Sequence, residues 1–132
     1  MKTYHGSCHC GAVRFSAQID LAQGTLRCNC SICAKLRFWP AIVAPAAFCL
    51  LAGAGALKDY QFHSRRDHHY FCQHCGVHPF GTGTSPRWGA FYAVNLPCLD
   101  DATPEELAAA PVSYIDGKND NWEGAPAVTA HL

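Results

Sequence analysis

Neither charge is in surplus in this sequence. Ten lysines and arginines match ten aspartates and glutamates, and charged residues make up 15% of the 132. A chain so balanced has no electrostatic footprint for a nucleic acid or an anionic membrane surface. Long apolar runs are missing too. The nearest, Ala41 to Ala56, is broken by Pro45, Gly53 and Gly55, so nothing approaches the roughly 20 residues of a membrane span. Met1-Lys2-Thr3-Tyr4-His5-Gly6 runs straight into the first thiol pair, without the apolar segment of a secretory signal. No basic or proline-rich tail offers itself to chromatin or cytoskeleton, and there is no linker. These absences predict a cytoplasmic protein with neither nucleic acid nor membrane as partner. Apolar residues reach 49%, which is a globular composition, and the length predicts one domain, 1–132, with a sizeable core.

What the chain has in excess is cysteine, nine in all. A disulfide framework is disfavoured: the number is odd, no export signal is seen, and Cys-x-Cys is poor geometry for a local bridge. In a reducing compartment such spacing points to metal. Cys28-Asn29-Cys30-Ser31-Ile32-Cys33 sets three thiols within six residues, and three such sulfurs can converge on one tetrahedral ion, with zinc the usual occupant. Two further pairs, Cys8-His9-Cys10-Gly11 and Cys72-Gln73-His74-Cys75-Gly76, together supply four more. Glycine after each pair suits a knuckle, where the chain turns tightly and amide N–H groups approach sulfur. The simplest partition is a closed structural site of Cys8, Cys10, Cys72 and Cys75, and an open site of Cys28, Cys30 and Cys33. Three protein ligands with an open fourth position is how catalytic zinc is built. His68, His69 or His78, flanking the third motif, is an alternative fourth ligand that would close the second site. His9 and His74 are expected to be solvent-facing spacers. Cys49 and Cys98 stand alone and are expected to be buried small side chains.

Patterning predicts mostly strands. Val13, Phe15, Ala17 and Ile19 alternate with Arg14, Ser16 and Gln18, a half-buried strand. Thr25–Cys28 is expected to deliver the three-thiol loop, followed by one helical turn at Ala34–Arg37. Phe38–Val43 predicts an edge strand, since Pro40 cannot donate to a ladder. Phe48–Leu51 and Leu57–His63 are further strands, with a hairpin turn at Ser64–Asp67. Gly81–Pro86 is expected to be a flexible loop, and Gly89–Leu96 a strand. One helix is marked by Thr103 as N-cap, Pro104 at its first position and Glu106 completing a capping box, with Pro111 as its stop. Aromatics of the turn-rich tail are expected to dock on the sheet.

Gly6-Ser7-Cys8-His9-Cys10-Gly11-Ala12-Val13, Cys28-Asn29-Cys30-Ser31-Ile32-Cys33-Ala34-Lys35 and Phe71-Cys72-Gln73-His74-Cys75-Gly76 resemble the glutathione-dependent formaldehyde-activating enzyme family, also called the centromere protein V/formaldehyde-activating domain. Asp116-Gly117-Lys118-Asn119-Asp120-Asn121-Trp122-Glu123 is similar to the tail of a bacterial branch. The resemblance implies a β-tent of antiparallel sheets, shared with a zinc-binding Rab exchange factor. It implies a structural zinc on Cys8, Cys10, Cys72 and Cys75 and a catalytic zinc on Cys28, Cys30 and Cys33. The activity it implies is condensation of formaldehyde with glutathione to S-hydroxymethylglutathione, a carbon–sulfur lyase reaction.

The expected partner is therefore a small-molecule thiol such as glutathione. Lys35 and Arg37, within four residues of Cys33, are the candidates to hold its carboxylates, with Arg65 and Arg66 as others; otherwise each is a solvated surface charge. The competing reading is a zinc-stabilised interaction module without chemistry, which the fold alone does not separate from an enzyme.

Overall fold

The computed structural model describes residues 1–132. Ten strands and two short helices follow one another along the chain: β1 (Lys2–Ser7), β2 (Arg14–Ile19), β3 (Thr25–Cys28), α1 (Ser31–Leu36), β4 (Pro40–Val43), β5 (Phe48–Ala52), β6 (Leu57–Tyr60), β7 (His68–Cys72), β8 (Phe80–Ser85), β9 (Gly89–Asn95), α2 (Pro104–Ala109) and β10 (Val112–Ile115). They build an antiparallel sheet β1-β2-β5, an antiparallel sheet β4-β9-β8-β7-β6, and a parallel pair of β10 with β3.

Alternation in β2 does what it predicts. Phe15, Ala17 and Ile19 are buried while Arg14 and Gln18 face water. Pro40 starts β4, which lies at the edge of the five-stranded sheet. Phe15, Ala17 and Ile19 from one sheet and Ala41, Val43 and Val94 from the other share one core with Tyr4, Leu96 and Leu99. Two antiparallel sheets thus lean on a common apolar filling, as in the β-tent that the resemblance implied. Aromatic rings knit the seam: Phe48 stacks on Phe15 and Tyr92 at 5.4 and 4.4 Å, and Phe80 meets Phe48 at 4.5 Å. Phe15 is wholly buried, worth about 1.5–3 kcal/mol relative to an exposed ring.

Three features depart from the sequence reading. Gly81–Pro86, expected as a flexible loop, is mostly strand: β8 lies between β7 and β9. Its glycines serve close approach. A Cβ on Gly81 would sit 2.8 Å from the His68 carbonyl, and one on Gly83 would meet the Asp67 carboxylate and, at 2.9 Å, the Phe91 ring. The second departure is α1, a full six-residue helix where one turn was expected, so the chain has two short helices rather than one. Helix α2 is built as its caps predict, with the reciprocal Thr103–Glu106 bonds present. Cys98 is buried as expected, but Cys49 is exposed on the outer strand β5.

Candidate metal centres

The ends of β1 and β7 carry the first site. Each is followed by a knuckle of the same construction. Cys8 N–H donates to the Val13 carbonyl at 3.1 Å, and Cys72 N–H to that of Val77 at 3.0 Å, so both loops close over five residues. Gly11 N–H turns back to the Cys8 carbonyl and Gly76 N–H to that of Cys72, with φ of 81° and 76°. Left-handed φ at these two positions is why a glycine ends each motif. The turns lift backbone amides toward sulfur: Val13 N–H donates to Cys8 Sγ at 3.3 Å.

The two knuckles meet. Sγ atoms of Cys8, Cys10, Cys72 and Cys75 all lie within 4.8 Å of one another, with Cys8–Cys10 at 3.6 Å and Cys10–Cys72 at 3.7 Å. A tetrahedron with zinc–sulfur bonds of about 2.3 Å has sulfur–sulfur edges of about 3.8 Å. An all-sulfur donor set at that spacing can hold a metal ion and is compatible with zinc. Four thiols so crowded do not ionise independently. The Cys10 and Val77 amides bring Cys75 down to about 6. Cys10 is pushed up to about 11: the Ala12 amide pulls the other way but is outweighed by desolvation and the thiols of Cys8, Cys72 and Cys75. A divalent cation is what would let all four become thiolates together.

The second motif is local. Cys28 ends β3, Cys30 stands at the N-terminus of α1 and Cys33 lies in its first turn. Cys30 N–H donates to Cys28 Sγ at 3.3 Å. The three thiols perturb one another strongly. The Cys28 thiol, then that of Cys33, brings Cys30 down to about 2, while Cys28 and Cys33 are both pushed up, by Cys30 and by Cys28 respectively. These three do not share the close mutual spacing of the first four.

No histidine joins the four-thiol set. His68 pairs with Asp59 at 2.6 Å, His69 bonds the Tyr60 carbonyl at 2.9 Å, and half-buried His78 packs tilted against Phe71, its pKa lowered by desolvation and then by His69. His9 and His74 are exposed. Arg66 and His68 line a cleft of about 290 Å³ with Tyr70 and Phe91 that contains no cysteine. Lys35 and Arg37 are exposed at the end of α1, Arg37 closing it at φ 49°.

Sequence reasoning missed the partner of the thiol loop. Because Ile115 pairs with Cys28 across the parallel strands, the tail passes directly over the second motif rather than over a sheet. Asn29 is held from three sides. Its N–H donates to the Ile115 carbonyl at 3.2 Å, its Nδ2 to Asp116 Oδ1 at 2.8 Å, and its Oδ1 accepts the Lys118 N–H at 3.0 Å. Hydrogen bonds from Asn119, then Asn29, hold buried Asp116 below the usual carboxylate range. The tail's likeness to a bacterial branch was the one signal for this contact, and it carried no position.

No helix is long and apolar enough to cross a membrane. Among solved structures, the crystal structure of a Rhodobacter sphaeroides protein from a structural-genomics programme superposes with a TM-score of 0.70 at 29% identity, covering 83% of this chain and 99% of that one. A family model described as glutathione-dependent formaldehyde-activating enzyme matches residues 3–116, a stretch that contains all three thiol motifs. The chain belongs to the glutathione-dependent formaldehyde-activating enzyme family.

Proposed function

We propose that this protein is a zinc-dependent carbon–sulfur lyase acting on thiol adducts, with glutathione plus formaldehyde to S-hydroxymethylglutathione as the reference reaction. The carrying observation is the division of the thiols: four converge into a complete set, while Cys28, Cys30 and Cys33 lie apart from them in a local group of their own. In this reading the first set holds a structural zinc. The second holds a catalytic one, leaving one tetrahedral position for a substrate sulfur.

Zinc at the second site would supply the positive charge that keeps a substrate thiol ionised near neutral pH. The protein's part is to place that sulfur. Cys28, Cys30 and Cys33 fix where it sits, and Lys35 and Arg37 offer charge-assisted bonds to the substrate carboxylates. The sulfur lone pair then adds to the carbonyl carbon of formaldehyde. A carbon–sulfur bond forms, the C=O π pair moves to oxygen, and a proton from water completes the hydroxymethyl group. The reverse path breaks the same bond and releases the aldehyde.

Cys30→Ser tests this. The variant is expected to stay folded and to lose about one zinc per chain. Glutathione at millimolar concentration is expected to raise the wild-type melting temperature by mass action, with a ligand at 100 times its Kd giving about 2.7 kcal/mol and each kcal/mol roughly 4 °C. It is expected to leave the Cys30→Ser melt where it was, and Lys35→Ala/Arg37→Ala should lie between. An unfolded Cys30→Ser, or a wild type indifferent to glutathione, would favour the non-catalytic module.

A further inference from the structure

Residues 117–132 lie beyond the segment that the family model matches, and the structure sets part of them against the second thiol motif. Gly117 follows Asp116 into a short turn closed by Asn121 N–H to the Asp116 carbonyl at 2.9 Å and by Asp116 N–H to the Gly124 carbonyl at 2.9 Å. That turn brings Trp122 back over Gly117. A Cβ on Gly117 would lie 2.7 Å from Cys28 Sγ and 2.8 Å from two carbons of the Trp122 six-membered ring. One glycine therefore separates a thiol of the motif from an indole, with no room for a side chain between them. The indole is 50% exposed and anchored through Nε1–H to Asp120 Oδ1. A large aromatic surface is thus tied in place next to Cys28 and stands half open to solvent, amphipathic and rigid in the way a binding wall needs.

We propose that Trp122 is a specificity-determining residue of the second site, forming the wall against which the body of the thiol substrate rests. Asn29 and Asp116 are positioning residues that keep this wall in register with Cys28 and Cys30. The proposal rests on reading that motif as a thiol site and names the class of thiol it takes: an extended one with peptide planes that lie against the indole, as opposed to a small alkyl thiol that ends before reaching it. Binding energy gained by the remote part of such a substrate is available to orient its sulfur. Only a residue fixed to the thiol loop converts that contact into placement, and the three bonds to Asn29 supply the fixing.

The test uses the full chain loaded with cobalt(II), whose thiolate charge-transfer absorption reports a sulfur arriving at the metal. Glutathione and 2-mercaptoethanol are titrated into wild type, Trp122→Ala and Trp122→Phe. Trp122→Ala is expected to keep the cobalt stoichiometry of the wild type and to bind glutathione about ten-fold more weakly, the weight of one good aromatic contact. Its affinity for 2-mercaptoethanol should stay within about two-fold, and Trp122→Phe should recover most of the glutathione affinity. Asp116→Ala, which frees the turn, should reproduce the selective loss with Trp122 still present. Equal weakening of both thiols, or no change in either, overturns the wall while leaving a thiol site. A wild type whose cobalt spectrum answers to neither thiol overturns the thiol-site reading, and the wall with it.

Discussion

Glu106 shows how much one side chain can carry. It closes the capping box of α2, accepts the Tyr4 hydroxyl, and receives Lys2 Nζ at 3.2 Å. Those donors, Tyr4 first and the Thr103 amide next, bring its carboxyl down to about 2. Burial, then the bond to Glu106, pushes Tyr4 up to about 12. The sign follows from the direction of each shift. A carboxylate depressed on folding stabilises above its ordinary value, and that stabilisation fades as pH falls toward 2. A phenol raised on folding stabilises below its ordinary 10, and that contribution fades as pH rises toward 12. The difference in melting temperature between wild type and Glu106→Gln is therefore expected to be flat from about pH 5 to 9 and to shrink below about 4.5, as followed by circular dichroism. A difference that persists unchanged at pH 3 would show that the carboxylate charge does not matter. The Lys2 pair is exposed and contributes little of this. Thr103-x-x-Glu106 was readable in sequence because a capping box is local. Its tie to Tyr4 was not, since the two are 102 positions apart in the chain.

Among the elements, β8 is where local pattern and tertiary structure disagree. Gly-Thr-Gly-Thr has no hydrophobic alternation and a high turn preference, so it reads as loop. In the sheet its bulk is supplied from outside, by Phe91, His68 and Asp67 pressing where a Cβ would be. Gly83→Val, which raises intrinsic strand preference, is accordingly expected to destabilise by about 1–3 kcal/mol through overpacking, while Thr84→Val at the exposed neighbouring position stays near neutral. Urea titration of both variants checks this, and a Gly83→Val as stable as wild type would remove the close-approach explanation. The same logic separates the other elements. Strand β2 was legible because one face is covered and the other wet. Helix α1 was legible only in part, since it is short and its N-cap is Cys30, with no side-chain capping bond. The pairing of β3 with β10 left no local trace at all. It joins residues 87 apart in the chain, yet it is what carries the tail to the thiol loop.

For the whole molecule, the four-thiol cluster sits where strands of two different sheets end. Cys8 follows β1 of one sheet and Cys72 ends β7 of the other. The structural zinc proposed there would be worth about 10–16 kcal/mol, as much as the entire stability of an ordinary domain. Cys72→Ser is therefore expected to give insoluble or unfolded protein, in contrast to Cys30→Ser. A soluble, folded Cys72→Ser with a full complement of metal would refute the assignment. The convergence of Cys8, Cys10, Cys72 and Cys75 was readable from spacing, because knuckles are local and only their meeting is long-range. That difference in range also sets an order in time. On the proposed function, Cys28, Cys30 and Cys33 would make a chelating hexapeptide whether or not anything around them has folded. The other set comes together only after about forty further residues have been made and two sheets have found each other, the slow kind of contact. If both sets take metal as proposed, the hexapeptide would be the first competitor for it during synthesis and the four-thiol cluster the last to be loaded.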